Sequence, residues 1–138
     1  TGIRETFRII GEAQITHEDY TSGRVFADAV AHSFYPIDLH YEGGVTPKHL
    51  TEGIVPTIPL RALIPKASKN LLVAGRCLSS DQLANSALRV QASCMAMGQA
   101  AGATAALAAQ TGTTPLQVPV ANIRRALARH GAIVPDAV

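Results

Sequence analysis

Tryptophan is absent from the 138 residues, and there are only three phenylalanines and three tyrosines. Core formation therefore falls to aliphatic side chains, and a 47% hydrophobic content is enough for one. Charge is also scarce. Only 16% of the residues are charged, against roughly a quarter in average globular chains. The chain thus has less polar surface than a free-standing domain presents to water, and part of that surface is expected to face further protein. Lys and Arg (12) barely exceed Asp and Glu (10) and are scattered along the chain, so the electrostatic footprint of a nucleic-acid binder is missing. Two cysteines, Cys77 and Cys94, are too few for a disulfide scaffold and form no CxxC. His17, His32, His40 and His49 lack the close-pair spacing of a zinc or iron site, so no metal is expected. The first residue is Thr1 rather than Met. This points to a segment of something longer, in which targeting signals cannot be read; a cytoplasmic location is the default expectation.

No charged residue occurs between Val90 and Ile123, which raises the possibility of a membrane span. A spanning helix needs about 20 predominantly apolar residues. The helical part here is mostly alanine, with Gly98, Gly102, Gln99, Ser93 and Thr104 among it, and offers few large side chains to lipid. A helix that is apolar all round and buried in a globular protein fits better than a span.

The remaining patterns suggest an α/β chain. Ile3, Phe7 and Ile9 alternate with Arg4, Thr6 and Arg8 as in a half-buried strand. Thr16, three residues before Asp19, starts a short helix that Gly23 ends. Ala29 to Tyr35 reads as a strand stopped by Pro36, residues 41–56 as a turn-rich crossing, and Thr57 to Ile64 as an edge strand containing Pro59. Leu71 to Ala74, closed by Gly75, has the look of a parallel strand covered on both faces. A loop from Arg76 to about Arg89 follows. A long helix then runs from near Val90 to Thr111, with Gly112 after it. In that helix Gly98, Gly102 and Ala106 share a face suited to close packing against a neighbour. Pro119 to His130 reads as an amphipathic surface helix, with Arg124, Arg125 and Arg129 on its outer side and Gly131 beyond its end. The organisation expected is residues 1–66 as part of a mixed-sheet unit, 67–112 as a strand and helix of a parallel α/β unit, and 113–138 as a C-terminal helix. A strand, a glycine, a polar loop and a long helix in that order place a ligand at the strand's carboxyl end and before a helix N-terminus, where negative charge is favoured.

The run Asn70-Leu-Leu-Val-Ala-Gly-Arg-Cys-Leu-Ser79 and the run Arg89-Val-Gln-Ala-Ser-Cys-Met-Ala-Met-Gly-Gln-Ala-Ala-Gly102 strongly resemble the C-terminal portion of the FAD-dependent oxidoreductase family of two-dinucleotide-binding-domain flavoproteins. Gly2-Ile-Arg-Glu-Thr6, Ser22-Gly-Arg24, Tyr35-Pro-Ile-Asp-Leu-His40 and Ile58-Pro-Leu-Arg61 follow that family's order. None of the 11 glycines forms the GxGxxG fingerprint that the family carries near its N-terminus. The resemblance therefore implies the last strand and helix of a Rossmann-like FAD domain, with part of a mixed-sheet substrate domain, and a missing N-terminal FAD-binding half as partner. It implies FAD as cofactor and hydride transfer with a small-molecule substrate, by a chain inactive alone. Gly75, Arg76 and Cys77 would line the ribityl and phosphate region. Arg89, Val90 and Gln91 would stand at the helix N-terminus facing the flavin ring. Many related flavoproteins place an acidic residue after the strand glycine, where this chain has Arg76.

Arg4, Glu5 and His40 are the substrate-side candidates, since imidazole can move a proton while flavin takes a hydride. An Arg-Glu pair on a strand is equally a structural ion pair, and His40 equally a hydrogen-bonded turn residue. Cys77 is either a thiol made reactive by Arg76 or a small packing residue. Cys94, Met95 and Met97 read as core. Two further readings stay open: an α/β interaction module without cofactor, docking through its sheet edge and small-residue helix, and a thiol redox protein using Cys77. A homo-oligomer is compatible with each of them.

Overall fold

The computed structural model describes residues 7–41 and 44–136. Its helices are α1 (His17–Ser22), α2 (Gln82–Leu88), α3 (Gln91–Thr111) and α4 (Val120–Arg129). Its strands are β1 (Ala29–His32), β2 (His40–Tyr41), β3 (Gly44–Val45) and β4 (Thr57–Pro59). Helices thus combine with small two-stranded antiparallel sheets, β1 with β4 and β2 with β3, in keeping with the α/β expectation. Of the strand proposed for Ile3 to Ile9, the first four residues lie outside the described residues, and no strand is formed by the rest.

The chain closes on itself around residues 9–15, which run between two other segments. On one side Ile9 donates its N–H to the Cys77 carbonyl (2.9 Å) and Ile15 to that of Ser79 (3.1 Å), while Asp81 N–H returns to the Ile15 carbonyl (2.9 Å). On the other side Glu12 donates to Ile64 (2.9 Å) and Lys66 to Ile10 (2.8 Å). The bridges are parallel to Ser80 and antiparallel to Pro65. Gly11 sits in the middle of this seam because a side chain has no room there. A Cβ on it would lie 2.7 Å from the Ser79 Cβ and 2.9 Å from the Ala13 carbonyl oxygen.

Local chemistry accounts for most element ends. Thr16 and Asp19 form the expected reciprocal capping box of α1, and Gly23, at φ 70°, ends the helix. β1 stops at His32 rather than Tyr35 because its partner β4 is only three residues long; the Ser33 N–H, turned to the Pro56 carbonyl (3.0 Å), closes the pairing. β4 in turn gives way to a 3-10 turn, Leu60–Leu63, which buries Leu60, Ala62 and Leu63. The alternation that suggested a strand to Ile64 also fits this turn, since both leave Arg61 outside, where its guanidinium pairs with Asp28 (3.0 Å).

Further expectations are corrected. The polar stretch after Arg76 is not all loop, because Asp81 caps α2 by accepting the Ala84 N–H (2.8 Å). Leu71 to Ala74 forms no strand among the described residues. A strand needs a repeated ladder of backbone bonds, and among the described residues Val73 alone of this run donates a backbone bond, to the Leu63 carbonyl (2.8 Å), while Leu71, half exposed, is not covered. Lastly, α3 is not buried all round. It begins after Val90 and ends before Gly112, as the sequence suggests, but only the stripe Ser93, Met97, Ala100, Thr104 and Ala108 is buried. Gly98, Gly102 and Ala106 are exposed, and a Cβ on either glycine would meet nothing within 4 Å. Met95, expected in the core, is exposed as well.

α4 follows Pro119, which is its cap rather than its first residue. It buries Ile123 and Leu127 in the same core as Ile15, Tyr20, Ile58, Leu78 and Met97. Arg124, expected on the solvent side, reaches back across β1 and donates from Nε to the Ala29 carbonyl (2.8 Å) and from Nη2 to that of Ala27 (3.1 Å).

Candidate functional site

α2 and α3 meet at a corner of two residues, Arg89 and Val90, the last capping α3 and the first ending α2. This corner opens onto a cleft of about 560 Å³. Its lining is Asp38, Gly75, Arg76, Ser86, Arg89, Val90, Gln91 and Cys94. Three stretches separated in sequence therefore converge on it.

The 74–78 turn forms one wall. Gly75 has φ 84°, a left-handed conformation that favours glycine, and its carbonyl accepts the Leu78 N–H (3.1 Å). Asn85, fully buried on α2, holds this turn from behind by donating from Nδ2 to the Arg76 carbonyl (3.1 Å) and to Ser80 Oγ (3.2 Å).

The start of α3 forms the facing wall. Thr16 and Asp81 cap α1 and α2 with side-chain oxygens, but Val90 has no polar group to offer. The first N–H groups of a 21-residue helix, carrying the positive end of its dipole, are thus left without a side-chain cap at the cleft. The guanidinium groups of Arg76 and Arg89 add positive charge, and among the described residues Asp38 is the single carboxylate of the lining.

The rim is made by residues 37–40. Ser86 Oγ accepts the Asp38 N–H (3.0 Å) and Arg89 Nη2 donates to the Asp38 carbonyl (2.9 Å). The Asp38 carboxylate lies 3.4 Å from Nε2 of His40.

Gly75, Arg76, Arg89, Val90 and Gln91, singled out in the sequence, are all brought together here. Cys77 is not among the lining residues. Its thiol turns back toward the Ala74 carbonyl (3.7 Å), and the thiol facing the cleft belongs to Cys94, which the sequence reading assigned to the core. Burial pushes the Cys94 thiol above its ordinary value, outweighing the Arg76 charge that pulls it down, and Cys77 nearby adds to the rise. His40, at the end of the rim, is not among the lining residues; it is joined to the cleft through Asp38, and its side chain is about one-third exposed. Arg4 and Glu5 lie outside the described residues. Asp38 and Ser86 went unrecognised; the signals available were the Pro-Ile-Asp-Leu-His run for Asp38 and, for Cys94, its place in the first turn of α3.

A family model described as FAD dependent oxidoreductase matches residues 1–127. The chain belongs to that family. Comparison with curated proteins and with solved structures gave no match. Membership of the FAD dependent oxidoreductase family gives the chain a flavin oxidoreductase role in general terms, with FAD as the cofactor of the family. No helix among the described residues is long and apolar enough to cross a membrane. The described residues also hold no group of three or more His, Cys, Asp or Glu side chains placed for a metal ion.

Proposed function

We propose that the cleft at the α2–α3 corner is one wall of an FAD site, and that the chain belongs to an oxidoreductase moving a hydride between an organic substrate and flavin. The observation that carries this is the convergence of Gly75 and Arg76 with Arg89, Val90 and Gln91 on one cleft, in a chain of this family. The donor set suits the group. FAD carries a pyrophosphate, and its reduced ring system is electron-rich, while the cleft offers two guanidinium groups and a helix N-terminus whose N-cap side chain makes no hydrogen bond.

Gly75 and Arg76 would hold the cofactor from the turn side, and the first turn of α3 with Arg89 from the other. When bound, FAD supplies a two-electron acceptor. The chain's own residues do the rest. Asp38 orients His40 through Nε2, leaving Nδ1 as the nitrogen that would exchange the substrate's proton. Ser86 and Arg89 keep Asp38 in place through its backbone. The glycine-rich fingerprint is supplied, in this reading, by a segment outside these 138 residues. Residues 1–66 then belong with the substrate side and 67–112 with the cofactor side. The exposed Gly98, Gly102 and Ala106 stripe of α3, whose glycines a Cβ would leave in open space, supports further protein packing there, the feature shared with the interaction-module reading.

The test is a titration with FAD of this chain and of a longer protein that includes the fingerprint. The longer protein is expected to turn yellow and to lose at least tenfold in affinity on Arg76→Ala. A longer protein that stays colourless overturns the proposal.

A further inference from the structure

Behind the cleft wall lies a chain of three buried hydroxyls that the site described above does not use. Tyr20, on α1, is fully buried; Ser33, just past β1, and Ser93, in the first turn of α3, are 3% and 4% exposed. Tyr20 Oη lies 3.1 Å from Ser33 Oγ, and Ser33 Oγ lies 2.9 Å from Ser93 Oγ.

The direction of this chain follows from the donors available. Tyr20 has one hydroxyl proton and donates it to the Tyr35 carbonyl (2.8 Å), while accepting the Tyr35 N–H (3.2 Å). Ser33 must then donate to Tyr20, and Ser93 to Ser33. The Ser93 hydroxyl is thereby drawn off its own helix. Thr104 and Thr111, further along α3, instead donate to carbonyls four residues back, those of Ala100 and Leu107 (both 2.8 Å). Burial raises the Tyr20 phenol above its ordinary value and keeps it the protonated donor at the far end.

Ser93 lies between Gln91 and Cys94 in the first turn, both of which line the cleft. Polar links in a dry interior have defined lengths and directions, and a fully satisfied network fixes one arrangement of the elements it joins. We propose that Tyr20 is a positioning residue which, through Ser33 and Ser93, fixes the first turn of α3 at the cleft and so sets how strongly that helix end favours the reduced, more negatively charged flavin. The inference rests on the cleft being the FAD site.

The experiment uses the full-length flavin-loaded protein with Tyr20→Phe, Ser93→Ala and the double variant, reading the two-electron midpoint potential of the flavin. Either single change is expected to weaken the preference for the reduced form about tenfold, a fall of about 30 mV. The double variant should fall no further than the larger single, because one break severs the chain. Ile123→Val, a core change that lowers the melting temperature without touching the network, should leave the potential unmoved. Hydrogen exchange at residues 91–94, measured in the flavin-free protein, should be faster in both network variants than in Ile123→Val. If Tyr20→Phe fails to fold, Ser93→Ala carries the comparison. An unchanged potential in a folded, flavin-bound variant overturns the inference, as does unchanged exchange at 91–94. A wild-type protein that binds no flavin overturns instead the reading of the cleft, and the exchange result still decides whether the hydroxyls position α3.

Discussion

Arg89 holds Asp38 by its backbone: Nη2 of the arginine donates to the Asp38 carbonyl at 2.9 Å, across 51 residues of sequence. The Asp38 N–H is held in turn by Ser86 Oγ (3.0 Å), whose own O–H donates to the Leu83 carbonyl (2.7 Å). The rim that carries Asp38 and His40 is thus pinned from both peptide groups to the corner from which the cleft is built. Ser86→Ala leaves a partly buried N–H without its acceptor, which costs about 1–3 kcal/mol. Amide exchange at Asp38 is expected to accelerate markedly. Arg89→Lys should do the same more weakly, since an ammonium on a flexible stem lacks the guanidinium's fixed fork. Protection at residues 37–40 unaltered by both changes would show the rim to be held by other means.

Gly11 is the tightest point of the seam between residues 61–66 and 77–81. With a Cβ only 2.7 Å from that of Ser79, Gly11→Ala must spread two hydrogen-bonded segments apart. Overpacking of this kind costs about 1–3 kcal/mol, and the denaturation midpoint should fall accordingly. Gly98→Ala on the exposed face of α3 is the contrasting change. In the 138-residue chain by itself a helix-interior glycine is replaced where a methyl meets nothing, so its stability should rise by up to about 1 kcal/mol. Equal effects of the two changes would contradict this account of the seam.

Asp19 gives stability a pH dependence of defined sign. Partial burial raises its carboxyl, but the Arg24 guanidinium at 2.7 Å and the N–H and hydroxyl of Thr16 outweigh this and leave the group below its ordinary value. A carboxylate depressed in the folded state contributes stability above its unfolded value, about 3.9, and loses it as pH falls through the folded value. Asp19→Asn should therefore be less stable than wild type at pH 7, by about 0.3–1 kcal/mol, the scale of a negative charge in a helix's first turn. The gap should close below pH 4. A gap independent of pH would assign the loss to shape rather than charge.

Cys94 is expected to be a slow nucleophile at neutral pH, because burial holds its thiol protonated despite Arg76. Alkylation followed by mass spectrometry should show its labelling rate still climbing above the range where an ordinary thiol has levelled off. Rapid labelling of Cys94 at pH 7 would contradict the environment described here and revive a thiol-based chemistry at the cleft.

What the sequence revealed and concealed follows the range of the forces involved. The ends of α1 and α3 were legible because they depend on neighbours within four residues: Thr16 with Asp19 and Gly23 for one, Gly112 for the other. Gly75, Arg76, Arg89, Val90 and Gln91 were legible because they sit in two contiguous motifs. α2 was hidden because Ser79, Ser80, Asp81 and Asn85 read as loop chemistry. In the fold Asp81 is a cap that also accepts the His17 N–H, and Asn85 is buried for bonds to Arg76 and Ser80. Asp38 was hidden for the same reason, since only the long-range bonds to Ser86 and Arg89 bring it to the cleft. Cys94 packs against the core as expected, but its cleft-facing side was hidden because a chain of alanines gives no hydrophobic period from which to tell the buried stripe of α3 from its open side.

The claim on which the rest depends is that flavin sits between the 74–77 turn and the first turn of α3. Hydrogen exchange of the full-length protein, compared with and without bound FAD, reads this most directly. Protection is predicted to rise at residues 75–77 and 90–94, and to stay level along the exposed face of α3 near Gly102. Strong protection by FAD elsewhere in the protein, with these two stretches exchanging as fast as in the flavin-free form, would contradict the account.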